Sequence, residues 1–308
     1  MTPPPRVWVG TSGYVYRHWR GGVFYPAGLR AREELAWYAA RFDTVELNNP
    51  FYRLPSTESF ARWRDETPDG FCFAVKVSRY ISHVQRLRGS AESLRLFLEH
   101  AEVLGPKLGP LLVQLPPQFH VDIARLEEFL ALLPPRHRWV LEVRHPSWQT
   151  PAVYDVLGRH GVALCVPVGG RVQPDLVTTA PFTYLRMHAG SLPGGGFGDD
   201  ELRPWAARIR ALVRSGKDVY VYFNNDWEGH AVRDAERLIE RTGGRADGRT
   251  GTRASARTRP PVRPSAPQCL SGPGSSSSPP LPAEPNFGAA NGLLTVNRGS
   301  CRSASPGA

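Results

Sequence analysis

The sequence predicts one (β/α)8 barrel of the TIM type over residues 6–243, followed by a disordered tail over 244–308. Three observations carry this. Eight short apolar runs recur between residues 6 and 226: VWVGTSG, TVELNNPFY, FCFAVKVS, LLVQLPP, WVLEVRH, VALCVPV, FTYLRMHA and VYVYFNND. Stretches with helical apolar spacing separate most of them, which is the pattern of parallel strands covered by helices. Nearly every run ends in polar residues that a strand buried on both faces would not favour, and in such barrels the active site lies at the carboxyl ends of the strands.

The elements follow in order. Strand one covers Val7–Thr11 and leads into an aromatic loop from Tyr14 to Tyr25. Leu35, Tyr38 and Phe42 then fall at helical spacing within 30–42. Strand two is Thr44–Leu47, with a helix from Ser56; strand three is Phe71–Val77, with a helix from Ser90 to Leu104 stopped by Gly105-Pro106. Strand four is Leu111–Leu115, with a helix from near Asp122; strand five is Trp139–Val143, with a short helix over Ala152–His160. Strand six, Val162–Val166, has no convincing helix after it. Strand seven is Phe182–His188, with a helix from Asp200 to Gly216, and strand eight is Val219–Phe223, with a helix over His230–Thr242.

From Gly244 onward Pro, Gly, Ser and Arg dominate and apolar periodicity stops. Such a segment cannot bury enough apolar surface to offset its chain entropy. About 240 residues remain, ample for one large core. The chain carries a formal net charge of +10. The tail supplies +6 of it: Arg245, Arg249, Arg253, Arg257, Arg259, Arg263, Arg298 and Arg302 stand against Asp247 and Glu284. A basic tail can attract nucleic acid. The blander reading is an unconstrained extension with an arginine-rich coding bias, since lysine occurs only at 76, 107 and 217. Cys72 and Cys165 fall inside strands, Cys269 and Cys301 in the tail, and no CxxC spacing occurs. There is no apolar signal core and no run of membrane-spanning length, so the expectation is a cytoplasmic protein without membrane association.

Residues two apart on a strand face the same way. Glu46 and Asn48, Lys76 and Ser78, Glu142 and Arg144, Arg186 and His188, and Tyr222 and Asn224 are such pairs at strand ends, and Gln114 interrupts strand four. Ionisable groups this near a core are costly unless paired, so their clustering points to one shared site at the mouth. A smaller claim also fits: barrel interiors hold ion pairs that only satisfy each other, and Glu142 with Arg144 is the pair most open to that reading. As a site, Glu46 and Glu142 are the acid–base candidates, provided their environments separate their pKa values. His188 would shuttle a proton or bind a metal. Lys76, Arg144 and Arg186 favour an anionic substrate, and Lys76 could form a Schiff base if its pKa is depressed. Asn48, Tyr52, Gln114, His145, Trp148 and Asn224 complete the substrate-binding set. Glu46, Glu142 and His188 could hold a divalent metal, but no HxH or HExxH spacing requires one. The loop GSLPGGGFGDDE reads as a phosphate cradle or a lid, with Asp199, Asp200 and Glu201 opposing an anion there. Tyr14, Tyr16, His18, Trp19, Phe24 and Tyr25 either line a sugar or base pocket or cap the barrel end.

The blocks GTSGYVYRHWRGGVFYP, FDTVELNNPFYRLP, GFCFAVKVSRYISH, LLVQLPPQF, VLEVRHPSW, YLRMHAG and VYVYFNND resemble, in order, the YecE-like family known as domain of unknown function 72. The resemblance runs from Val7 to Gly243 and implies a TIM-type barrel, but it supplies no substrate or reaction. The positions it emphasises are Glu46, Asn48, Tyr52, Lys76, His83, Gln114, Glu142, Arg144, His145, Trp148, Arg186, His188 and Asn224. This chain departs from the pattern at Asn49-Pro50 (usually Ser-Thr), at Ala189 (usually Gly) and at Phe197 (a tyrosine). Two function classes stay open. One is an enzyme doing acid–base or hydrolytic chemistry on a small anionic or carbohydrate-like substrate. The other is a non-catalytic protein that holds a small ligand at the mouth, or nucleic acid with help from the tail.

Overall fold

A computed structural model of the chain describes residues 4–169 and 176–243. The expected tail, with its arginines, Cys269 and Cys301, lies outside the described residues. Eight strands form a closed parallel barrel in sequence order: β1 (Val7–Ser12), β2 (Thr44–Leu47), β3 (Cys72–Lys76), β4 (Leu108–Gln114), β5 (Trp139–Glu142), β6 (Ala163–Val168), β7 (Phe182–Met187) and β8 (Asp218–Phe223). Closure comes from β1 against β8, where Val7 through Thr11 run in register with Val219 through Phe223.

The strands alternate between two cores. Ala74, Leu112, Val140, Ala163, Cys165, Phe182, Tyr184, Tyr220 and Tyr222 pack with Trp8 as one cluster, which the pleat assigns to the barrel interior. Near its amino end Trp8 stacks on Tyr220 with ring centres 4.6 Å apart. The intervening residues, such as Val45, Val75, Val113, Leu141, Leu185 and Val221, join the larger core under the helices. Burial on both faces explains why the runs read as continuously apolar. One position is fixed by contact between backbones: a Cβ on Gly10 would lie 2.2 Å from the Thr44 carbonyl oxygen.

The covering helices are α1 (Glu34–Ala39), α2 (Asn49–Tyr52), α3 (Thr57–Asp65), α4 (Ala91–Ala101), α5 (Ile123–Leu130), α6 (Pro151–Arg159), α7 (Asp199–Arg214) and α8 (His230–Thr242). Their starts follow local chemistry: Asp122 Oδ1 accepts from the Arg125 amide at 3.1 Å and Thr150 Oγ1 from the Val153 amide at 3.4 Å. Gly243 closes α8 with φ of 105°. The first helix is shorter than its apolar spacing suggests, because Ala31–Glu33 winds as a 3-10 turn. Two short turns are absent from the sequence reading, α2 and a π-helical turn over Tyr80–Val84. Each is too short to show a period. Both follow directly on strand ends and so shape the mouth. Among the described residues no helix separates β6 from β7. No helix there is long and apolar enough to cross a membrane.

A candidate site in the barrel mouth

Arg186, on β7, is the centre of the polar tier and is 2% exposed. Its guanidinium grips Glu46 of β2 with two bonds, Nε to Oε2 at 3.0 Å and Nη2 to Oε1 at 2.7 Å. Its Nη1 donates to Oε2 of Glu142, on β5, at 2.9 Å. One fork therefore bridges two carboxylates on opposite sides of the barrel, a geometry that the planar donors of arginine permit and a lysine could not supply. Glu46 also accepts from the Tyr184 hydroxyl at 2.6 Å and the Ser12 hydroxyl at 2.8 Å. Glu142 accepts from Gln114 Nε2 at 2.8 Å and Arg144 Nε at 3.0 Å. Beyond it stands His188, its Nε2 4.0 Å from Glu142 Oε1 and its Nδ1 3.1 Å from Asn224 Nδ2. If the amide nitrogen of Asn224 is the donor, the proton of a neutral His188 sits on Nε2, facing Glu142.

Electrostatics divide these groups. Burial alone would raise the Glu46 carboxyl, but the Arg186 charge and the bonds from Arg186 and Tyr184 outweigh it and hold it below the usual range. Glu142 is likewise held far down: burial is overcome by Arg186, Arg144 and the Gln114 bond. Neither carboxyl keeps a proton at neutral pH, so the expected split into one acid and one base finds no support in their surroundings. His188 is pushed down to about 4, first by burial and then by Arg186, and is neutral at pH 7. Lys76, the last residue of β3 and 7% exposed, is pushed down from 10.5 to about 8 by burial and by Arg186, against the pull of Glu142 and Glu46. Its ammonium lies 4.0 Å from the Phe51 ring centre.

The structure thus brings Glu46, Gln114, Glu142, Arg144, Arg186, His188 and Asn224 into one network, with Lys76 beside it. Asn48 is half-buried and its Oδ1 has no hydrogen-bond partner among the described residues. His83 packs edge-on against Phe51, and burial and Lys76 push it down to about 4. Three of the expected ligand-contact residues lie outside this network. Trp148 is fully buried and donates its indole N–H to the Phe119 carbonyl at 2.6 Å, so it packs beneath the loop. Tyr52 is 73% exposed, outside the network. His145 caps the Pro146–Trp148 turn, its Nδ1 accepting from the Ser147 amide at 3.2 Å, with its ring 3.8 Å from that of His120. The metal set is not assembled either: Arg186 occupies the space between the carboxylates, and no group of three acidic, His or Cys side chains among the described residues is placed to hold an ion.

The glycine-rich loop is not an anion cradle. Glu201 already accepts from the Gly198 amide at 2.8 Å and from the Ser191 hydroxyl at 2.9 Å, and buried Asp234 accepts from the Phe197 amide at 2.9 Å. Carboxylates hold the N–H groups an anion would need, and Asp234 ties the loop to α8. The aromatic loop after β1 caps the barrel end: Trp19 and Tyr25 are fully buried, and Trp19 donates to the Asp226 carbonyl at 2.8 Å. Sequence reasoning missed Tyr184, Ser12 and Asp234. For Tyr184 a signal was present, since it lies two residues before Arg186 and so shares its face.

Fold and mouth together define a (β/α)8 barrel with a buried, ion-paired centre at the carboxyl ends of its strands. The family profile described as "Protein of unknown function DUF72" matches residues 8–259, and the chain belongs to that family. Over 131 residues it is 35% identical to the UPF0759 protein YecE of Escherichia coli K12, a match spanning 42% of this chain and 47% of that relative. It is 26% identical to the UPF0759 protein YunF of Bacillus subtilis over 70% of this chain and 89% of that one. A crystal structure of a DUF72 family protein from Thermotoga maritima superposes with a TM-score of 0.68 at 29% identity, covering 76% of this chain and 98% of that one.

Proposed function

We propose that the mouth binds a small anionic molecule and carries out proton-transfer chemistry on it. The charge balance carries this reading. Glu46 and Glu142 are matched by Arg186 and Arg144, so Lys76 adds a positive charge that no carboxylate among the described residues pairs with. A cluster of largely buried groups with surplus positive charge attracts an anion. Arg144 can share in holding it, since its side chain is 41% exposed and its Nε alone is engaged with Glu142. Lys76, poised near neutral pH, is the group best suited to give or take a proton. His188 would stand neutral beside Glu142, Asn48 would offer its side-chain oxygen, and Glu46 and Gln114 would position their partners.

Calorimetric titration with inorganic phosphate and small phosphorylated or carboxylated compounds tests this. Binding should weaken at least tenfold in both Lys76→Gln and Arg144→Ala. Failure of any anion to bind at millimolar concentration, or binding that both variants retain, would sink the reading. Once a substrate is identified, Lys76→Gln should abolish its turnover while leaving the circular dichroism spectrum unchanged.

A further inference from the structure

We propose that Lys76 is a covalent nucleophile that forms a Schiff base with an aldehyde or ketone bearing an anionic group. The inference rests on the anion-binding reading for the charge on the substrate. For the amine it rests on the placement of Lys76 itself.

The chain has two other lysines for comparison. Lys107 shows how this fold holds an ammonium that is meant to stay charged: its Nζ donates to the carbonyls of Arg64 and Thr67, each at 2.6 Å, and reaches the Thr67 hydroxyl at 3.3 Å. Lys76 is as buried as Lys107, yet its Nζ makes no hydrogen bond or ion pair among the described residues. Its Nζ lies 4.0 Å from the centre of the Phe51 ring. With the side chain only 7% exposed, an ammonium so largely desolvated and without a protein acceptor is disfavoured relative to the neutral amine, whose lone pair is free. The carboxylates that could hold the proton on Lys76 are taken: Glu46 by Arg186, Tyr184 and Ser12, and Glu142 by Arg186, Arg144 and Gln114. Arg186 and Arg144 both push the ammonium toward deprotonation. Desolvation beside other cations is the environment that makes a lysine nucleophilic.

The step balances without a further reactant. The Nζ lone pair attacks the carbonyl carbon, forming the C–N bond while the carbonyl π pair moves to oxygen. The resulting carbinolamine loses that oxygen as water, carrying off the two protons of the amine, and leaves the imine. A proton from solvent converts the imine to the iminium. The terminal nitrogens of Arg144 make no bond among the described residues and are free to take the anionic group.

The test uses the full chain at pH 7.5 with sodium borohydride and one of three probes: glycolaldehyde phosphate, glyoxylate or uncharged glycolaldehyde. Adducts are located by peptide mass mapping. Lowering the amine from 10.5 to about 8 raises its reactive fraction on the order of a hundredfold. We expect Lys76 to be labelled at least tenfold more than Lys217 by one of the charged probes, the better of the two identifying phosphate or carboxylate as the recognised group. Lys76→Arg should lose the label while keeping its circular dichroism spectrum. Labelling of Lys76 no greater than that of Lys217 overturns the Schiff base, and phosphate binding seen by calorimetry in the same preparation would leave the anion site standing. Equal labelling by glycolaldehyde and its phosphate upholds the nucleophile and overturns the anionic substrate class.

Discussion

Replacing Lys76 with methionine should make the protein more stable at neutral pH. The side chain is 7% exposed, and its ammonium is pushed from 10.5 down to about 8 by burial and by Arg186. Below pH 8 the lysine is charged in both the folded and the unfolded chain, and the folded state bears the full penalty of about 3 kcal/mol that this difference represents. Between pH 8 and 10.5 the folded chain has released the proton while the unfolded chain keeps it, so wild-type stability climbs as pH rises. Above 10.5 the penalty is gone. Methionine approximates the neutral lysine in shape and never bears it. Against this stands the contact with Phe51, with Nζ 4.0 Å from the ring centre, worth roughly 1 kcal/mol. The net gain at pH 7 is then about 2 kcal/mol, or about 4–8 °C in Tm for a domain of this size.

Urea unfolding of both proteins at pH 7 and pH 9.5 measures it. The gain should shrink by about 2 kcal/mol between the two pH values, leaving the proteins nearly equal at the higher one. Lys107→Met is the opposing control. It removes an ammonium bonded to two carbonyls and a hydroxyl, and should destabilise. If Lys76→Met is less stable than wild type at pH 7, or if its gain does not change with pH, then Lys76 is an ordinary packing residue and the account of a strained amine is wrong.

Arg186→Met leaves two buried carboxylates without their shared partner and should cost about 3–5 kcal/mol at pH 7. Wild-type Glu46 and Glu142 are held low, so the stability they contribute is present above their unfolded values and is lost as pH falls through the folded ones. In Arg186→Met that dependence should invert, with urea midpoints higher at pH 5 than at pH 7; a midpoint that falls on acidification would contradict it. Gly10→Ala places a methyl 2.2 Å from the Thr44 carbonyl oxygen and should lower the unfolding free energy measured in urea by about 2 kcal/mol, since backbone must move. A proton NMR titration of His188 should give a midpoint near 4; one near 6.5 would show that the ring is neither buried nor repelled as described.

The barrel was legible because its signal is periodic and repeated. Continuous apolar runs between helical stretches admit few architectures, and Thr44–Leu47 and His230–Thr242 fall where the pattern puts them. The ring of charges was legible for a related reason, as Glu46, Glu142 and Arg186 sit in strands where charge is expensive. What escaped is what looks ordinary in its setting. Tyr184 and Ser12 are common strand residues whose hydroxyls matter only once Glu46 is seen between them. Asp234 reads as one more acid on a charged helix, yet it is 2% exposed and holds the loop after β7 in place. Trp148 failed in the other direction: an aromatic beside a mouth suggests stacking, while its N–H was already committed to Phe119. Sequence spacing shows which face a residue shares, and it cannot show which donors are already used.

That distinction also separates a structural network from a working site. A network that exists only to satisfy buried charges should close on itself, and four of the five charged groups here do: Arg186 bridges Glu46 and Glu142, and Arg144 completes Glu142. Removing Lys76 would leave that set neutral, with both carboxylates paired. The lysine is therefore superfluous to the network, costly where it stands and without an acceptor of its own. A fold gains nothing from such a residue through stability, and natural proteins hold strained groups of this kind mainly where function needs them. The proposed binding and chemistry therefore turn on Lys76, with the carboxylates and Arg186 as the frame around it.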